Sequence, residues 1–245
     1  ASSATSMKES AIFSYKPMND RRISHDEVVS SLVNLHQLTF EVTDACNLQC
    51  KYCGYGDLYF GYDKRETNYL SFERGKAMLD YLADIWRTHA ARSARPRTYI
   101  SFYGGEPLMN MPFIERGVAY VESLDIRRNF IFSMTTNAML LDRYMNYLRE
   151  KKVRLLISLD GDRQGQSYRV THSGENSFDR VFANVKKLQR TYPGYFEEYV
   201  QFNSVLHNRN SVERTFDFIK REFGKRAAIT ELNNSGIKPE KVEEF

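Results

Sequence analysis

Asp44-Ala45-Cys46-Asn47-Leu48-Gln49-Cys50-Lys51-Tyr52-Cys53 holds all three cysteines of this 245-residue chain, spaced C-x3-C-x2-C. The run directly follows an apolar, strand-like stretch at 35–42. Three thiolates in one short loop can hold three corners of a [4Fe–4S] cube, whose fourth iron ordinarily takes a fourth cysteine. There is no fourth cysteine, so the fourth iron stays open to another ligand. A catalytic cluster needs that opening; a pure electron carrier does not. The same thiols also admit a structural Cys3His zinc site completed by His36, His89, His172 or His207. Zinc cysteines, however, usually come as separated C-x2-C pairs, and none of these histidines lies at a short knuckle distance from Cys53. A disulfide framework is disfavoured by the odd count, the tight spacing and the absence of a signal-peptide pattern.

Composition sets the frame around this loop. With 42% hydrophobic residues, the length suits one large α/β domain with a real core. Net charge is +4 and the pI about 8.8, a mild excess without a long basic tract. The locally basic stretch at 87–97, RTHAARSARPR, reads as a helix end running into a solvated loop rather than a nucleic-acid patch. No apolar run approaches bilayer-spanning length, and reduced cysteines without a targeting sequence point to the cytoplasm. Residues 1–34 read as a partly flexible N-terminal segment, 35–233 as the core domain, and 234–245 as a tail that stops short of a further domain.

Apolar, β-branched runs alternate with helical periodicity, the pattern of β/α units around a parallel sheet. Strands are predicted at 36–43, 98–103, 129–135, 153–159, 199–206 and 227–231, and helices at 72–89, 112–124, 142–151, 178–191 and 211–223. In the first helix Phe72, Met78, Leu79, Leu82, Ile85 and Trp86 share a broad apolar face, and Ser71 is placed to cap it. Pro112 suits a first helical turn, Asn210 with Glu213 a capping box, and Gly224 a helix stop. The expected architecture is a partial (β/α)6 TIM-like barrel of parallel strands with outer helices. Chemistry in such barrels sits on loops at the C-terminal ends of the strands. The cysteine loop follows the first strand, Gly104-Gly105-Glu106-Pro107 the second and Thr136-Asn137 the third, while Ser158-Leu159-Asp160-Gly161 ends the fourth.

Each of these elements alone reads as an ordinary turn: GGEP as a β/α connection, Asn137 as a helix cap, SLDG as a strand end or part of a magnesium site. In order on successive strands, with an aromatic before the last cysteine, they resemble the radical S-adenosylmethionine (SAM) superfamily, over about 35–233. Within it the chain is similar to peptide and protein maturases, including anaerobic sulfatase-maturating enzymes; LTFEVTDACNLQCKYCGYG carries that likeness. The resemblance implies that Cys46, Cys50 and Cys53 bind a [4Fe–4S] cluster whose open iron takes the amino and carboxylate groups of SAM. It implies that Gly104, Gly105 and Glu106 hold the methionine ammonium, and that Ser158 and Asp160 belong to the SAM site. Arg169 would pair with the methionine carboxylate, with Arg163 the alternative; a guanidinium fork suits that partner. Tyr52 would lie beside the adenine, and Asn137 would stand in a T-N-G-type turn whose glycine is here Ala138. Asn203 and Ser204 are candidates to face the ribose or the substrate, with their direction left open by alternation.

The implied chemistry is reductive cleavage of SAM to a 5′-deoxyadenosyl radical that abstracts hydrogen from a peptide residue, with a flavodoxin or ferredoxin as electron donor. A thioether or carbon–carbon crosslink in a ribosomally made peptide is the leading product class, and oxidation of Cys or Ser to formylglycine the alternative. A non-enzymatic zinc- or cluster-binding module is the reading from another class. A membrane role is not expected, and modest charge without an RNA-binding appendage disfavours nucleic acid. Maturases of this branch carry a cysteine-rich C-terminal extension with auxiliary clusters; no cysteine remains here to ligate one, so a fragment of a longer maturase is expected.

Overall fold

The computed structural model describes residues 22–56, 58–60 and 65–244. Six strands pair strictly in chain order and all in parallel. They are β1 (Gln37–Thr43), β2 (Arg97–Gly104), β3 (Asn129–Thr136), β4 (Arg154–Ser158), β5 (Val200–Leu206) and β6 (Ala227–Glu231). β1 and β6 remain the two edges, so the barrel is partial and open.

Alternation along the strands sorts the side chains between two unlike faces. Phe40, Val42, Ile100, Phe102, Phe132, Met134, Leu155, Ile157 and Phe202 enter the main apolar core, beneath the helices. The intervening residues Gln37, Thr39, Ser101, Ser133, Thr135 and Gln201 line a concave lumen with a cavity of about 420 Å³, which they share with Tyr99, Leu156 and Tyr199, so its wall is mixed polar and apolar. On its wall the Ser101 and Ser133 hydroxyls, register partners on β2 and β3, hydrogen-bond at 2.6 Å.

The helices are α1 (His25–Val33), α2 (Phe72–Thr88), α3 (Met111–Ser123), α4 (Leu141–Glu150), α5 (Phe178–Thr191), α6 (Pro193–Tyr199) and α7 (Val212–Phe223). The Ser71 side chain accepts from Arg74 N at the start of α2, as its position in the sequence suggested. Leu79, Leu82, Ile85 and Trp86 are buried, but Met78 is 47% exposed; the apolar face is narrower than the periodicity implied. At α7 the cap is Ser211, whose Oγ accepts from Arg214 N at 3.2 Å. Asn210 is not part of a capping box: its Nδ2 donates to the Asp160 carbonyl at 3.1 Å and the Val205 carbonyl at 2.9 Å. Gly224 ends α7 in the left-handed region, φ 69°, the conformation that favours glycine at a helix stop.

Two helices lie where no helix was expected. α1 carries a Ser24/Glu27 capping box and packs Val29 and Val33 against Ile85 of α2, so the part of the N-terminal segment that forms α1 packs on the core. Residues 1–21 lie outside the described residues. α6 is a short helix opened by Pro193, inserted between α5 and β5. The tail folds back on the segment after the cysteine loop: Phe60 N donates to Gly236 O at 2.8 Å and Lys238 N to Leu58 O at 2.9 Å. No helix among the described residues is long and apolar enough to cross a membrane.

Candidate active site

The cysteine loop leaves the C-terminal end of β1 and is tied on both sides. Gly105 N donates to Thr43 O and Glu106 N to Ala45 O, each at 2.8 Å. On its other flank Gln49 N reaches Val170 O at 2.7 Å and Lys51 N reaches Tyr168 O at 2.9 Å. The Asp44 carboxylate accepts from Glu66 N at 2.9 Å and Asn68 N at 2.6 Å. The two glycines make the first tie possible. Gly104 has φ +134°, and a Cβ on it would stand 2.1 Å from Thr43 O; one on Gly105 would stand 2.1 Å from Ala45 O. Backbone meets backbone there, so no side chain fits.

Of the residues singled out from the sequence, Cys46, Cys50, Tyr52, Cys53, Gly104, Gly105, Glu106, Asn137, Ser158 and Arg169 line one cavity of about 290 Å³, whereas Asp160, Arg163, Asn203 and Ser204 do not. Arg65, Tyr55, Tyr103, Thr135 and Thr136 complete much of its wall. Donors converge on the sulfurs. Leu48 N points at Cys46 Sγ from 3.4 Å, Asn137 Nδ2 at the same sulfur from 3.7 Å, and Arg65 Nη2 at Cys53 Sγ from 3.1 Å. Burial pushes the Cys46 thiol up, and lifts Cys50 to about 12 against a lowering pull from Arg169. Metal binding at such thiols must displace protons.

Glu106 is fully buried. Its Oε1 accepts from the Thr136 hydroxyl at 2.7 Å and Leu108 N at 3.1 Å, and its Oε2 from Asn137 N at 2.7 Å. It therefore braces the end of β2 to the end of β3 at the cavity edge, while burial raises its carboxyl to about 7. Asn137 serves two ends at once. Its Oδ1 accepts from Met139 N at 3.0 Å, a local turn, and its Nδ2 donates to Asn47 Oδ1 at 2.8 Å in the cysteine loop. Ala138, in the position suited to glycine, does take a left-handed φ of 61°.

Asp160 lies behind the wall. It is fully buried and accepts from Arg169 Nε at 2.9 Å, Arg169 Nη2 at 3.0 Å, Val205 N at 2.9 Å and the Tyr52 hydroxyl. His207 Nε2 stands 3.9 Å from it, without a hydrogen-bond partner among the described residues. The Asp160 oxygens are committed to two cavity-lining side chains and to β5, one layer behind the cavity wall. The Arg169 guanidinium sits 5.4 Å from the centre of the Tyr52 ring. Arg163 faces outward, paired with Asp179 with both side chains well exposed, so of these two it is Arg169 that lines the cavity. Ser204 is buried on the helix side of β5, donating to Leu159 O at 2.5 Å. Asn203 pairs in register with Ser158 and belongs to the lumen face.

Among the described residues no histidine lines the cysteine cavity. His172 Nε2 is engaged at 2.9 Å with the Cys46 carbonyl oxygen, His36 packs on Tyr99, and His89 caps α2. Nor do three His, Cys, Asp or Glu side chains among the described residues gather closely enough for a single ion. Thiols spread around a cavity, with N–H donors at Cys46 and Cys53, suit the corners of a multinuclear cluster. The donor set fits a [4Fe–4S] cluster held by three cysteines, with an acidic and a cationic group placed for a zwitterionic ligand beside it. Sequence reading missed Arg65, Thr136 and His207 as parts of this assembly. Only Thr136 had a local signal, through its place beside Asn137.

Comparison with known proteins agrees. The chain is 25% identical over 235 residues to the radical SAM cyclopropyl synthase TigE of Paramaledivibacter caminithermalis, across 94% of this chain and 46% of that protein. It is 28% identical over 194 residues to a cysteine-type anaerobic sulfatase-maturating enzyme of Clostridium novyi, across 77% of this chain and 49% of that one. The chain thus spans about half the length of these curated relatives. Its fold matches the solved structure of native anSMEcpe with bound AdoMet and Kp18Cys peptide at a TM-score of 0.67 and 20% identity, over 84% of this chain and 56% of that one. Residues 40–220 match the radical SAM superfamily as a whole, and with its strand order and three-thiol cavity the chain belongs to that superfamily.

Proposed function

We propose that this chain is the catalytic core of a radical SAM enzyme that modifies a peptide, forming a thioether or carbon–carbon crosslink. The observation that carries this reading is that the cysteine cavity and the lumen share a wall: Tyr103 and Thr135 line both. A group activated beside the thiols would therefore open onto a lumen of mixed lining, with hydroxyls and amides suited to a peptide backbone and aromatic and aliphatic side chains suited to its side chains. The TigE and sulfatase-maturase relatives add support for a peptide substrate.

Cys46, Cys50 and Cys53 would hold the cluster. When bound, the reduced cluster supplies the electron that cleaves SAM to methionine and a 5′-deoxyadenosyl radical. The chain's own residues bind and orient. Glu106 and the Gly104–Gly105 backbone present acceptors suited to an ammonium, and Arg169, held in place by Asp160, a guanidinium suited to a carboxylate. Tyr52, pinned through its hydroxyl to Asp160, offers an aromatic wall for adenine, with Ser158 and Asn137 as polar contacts along the cavity. A flavodoxin or ferredoxin is the proposed electron donor, and the cytoplasm the proposed location.

Anaerobic reconstitution with iron and sulfide, then SAM and dithionite, tests this, with 5′-deoxyadenosine read by mass spectrometry. Product from the parent chain and none from Cys50→Ala supports the assignment; a fully iron-loaded parent that leaves SAM intact sinks it. Formylglycine formation is the second reading, favoured by the Clostridium novyi relative. Peptide mass separates the two: a crosslink removes hydrogens only, whereas formylglycine from cysteine also exchanges sulfur for oxygen.

A further inference from the structure

Arg65 comes from outside every motif, yet among the described residues it is the cation that hydrogen-bonds a cysteine sulfur in the cavity. Its Nη2 lies 3.1 Å from Cys53 Sγ and its Nη1 3.2 Å from the Leu48 carbonyl oxygen. The guanidinium stands 5.1 Å from the centre of the Tyr55 ring, and Tyr55 is itself anchored through its hydroxyl to Glu41. Arg65 Nε is buried without a hydrogen-bond partner among the described residues. The side chain is thus fixed at three points, with its charged face against the thiol and the cavity.

We propose that Arg65 is a positioning residue that raises the reduction potential of the cluster held by Cys46, Cys50 and Cys53. The proposal rests on the radical SAM reading above. Reduction adds one negative charge to a cluster whose ligands are already thiolates, so a fixed cation and an N–H donor at a ligating sulfur stabilise the reduced form more than the oxidised one. Hydrogen bonds to sulfur and net charge are established determinants of such potentials, and a half-buried charge is screened less than one in bulk solvent. Arg169 also pulls on Cys50, but its Nε and Nη2 are committed to Asp160, whose negative charge offsets that pull. Among the described residues Arg65 is paired with no carboxylate in this way, so its charge acts on the cavity.

The test is an EPR-monitored redox titration of the reconstituted chain beside Arg65→Gln and Arg65→Lys. The parent must first hold a [4Fe–4S] cluster; one that binds no iron removes the radical SAM reading and this proposal with it. Arg65→Gln at the parent's iron content is expected to show about tenfold less reduced cluster at a fixed poise, equivalent to 59 mV for one electron. Arg65→Lys, which keeps the charge, should shift less. An Arg65→Gln midpoint equal to the parent's overturns the proposal. If Arg65→Gln fails to retain iron, the thermal midpoint of the metal-free chain decides. An unchanged midpoint, with iron retained by Arg65→Lys, supports a cation serving the cluster. A lowered midpoint, or iron lost from Arg65→Lys as well, reduces Arg65 to a loop strut and overturns it.

Discussion

At the scale of single residues, the site depends on two backbone contacts and one buried carboxyl. Any side chain on Gly105 would collide with the carbonyl of Ala45, one residue before the first cysteine, and no rotamer relieves a clash between Cβ and backbone. Gly105→Ala is therefore expected to cost about 2–4 kcal/mol of stability and to leave the chain unable to hold a full complement of iron. Iron content after reconstitution, with urea unfolding alongside, checks both. Glu106 gives a pH prediction with a definite sign. Its carboxyl is raised from 4.5 to about 7 by burial, so between those values the folded chain keeps a proton that the unfolded chain has released. Stability is fully present below pH 4.5, falls through that window, and levels off above about 7. At about 1.4 kcal/mol per unit, the loss in the metal-free chain is about 3 kcal/mol. Urea unfolding across the window should show it, and Glu106→Gln should flatten the slope; a slope that persists in the variant would sink the assignment. A bound ammonium beside the carboxylate would lower the pKa and shrink the loss.

At the scale of elements, Asp160 is the knot between β4, β5 and the loop that bears Arg169. It joins the Arg169 fork, the Tyr52 hydroxyl and the Val205 amide, with Asp160 itself fully buried. Removing one member of a buried pair leaves the other charge without compensation, at a cost of about 3–5 kcal/mol. Asp160→Ala should destabilise the metal-free chain by that amount in chemical denaturation, and Asp160→Asn by less, since the amide oxygen still accepts. An Asp160→Ala chain as stable as the parent would show that solvent reaches Arg169 freely. The N-terminal helix α1 is a comparable element: Trp86 Nε1 donates to Leu32 O at 3.0 Å, so it is stitched to α2 by a side chain as well as by apolar contact.

At the scale of the whole molecule, the open six-stranded sheet leaves a lumen continuous with the cysteine cavity. The two compartments should be separable by mutation. Ser133 lies in the lumen and outside the cysteine cavity. Ser133→Phe is expected to slow peptide modification at least about tenfold, a loss of roughly 1.4 kcal/mol in transition-state binding, while SAM cleavage without peptide continues at near the parent rate. Measuring deoxyadenosine and modified peptide side by side gives the ratio. Equal loss of both would mean that the lumen is not the substrate channel.

Much of this was legible in the chain itself. Local spacing puts Cys46, Cys50 and Cys53 in one loop whatever else the chain does. Strand and helix periods place that loop, GGEP, Thr136-Asn137 and the end of β4 at one mouth, because parallel β/α units all turn the same way. The hydrophobic period of α2 marked its core residues but overestimated the buried face at Met78, since how far a neighbour reaches over a helix is not written in that helix. Tertiary structure alone decided the partners of the polar groups. It sent Asp160 behind the wall to Arg169, chose Arg169 over Arg163 for the cavity, turned Ser204 to the helix side, and used Asn210 to tie strand ends rather than to cap α7. It also brought Arg65 to Cys53. Period and spacing act over a few residues, whereas the choice of partner for a buried charge is made among segments far apart in sequence. That choice follows from which pairing leaves the least charge without compensation when the chain is packed.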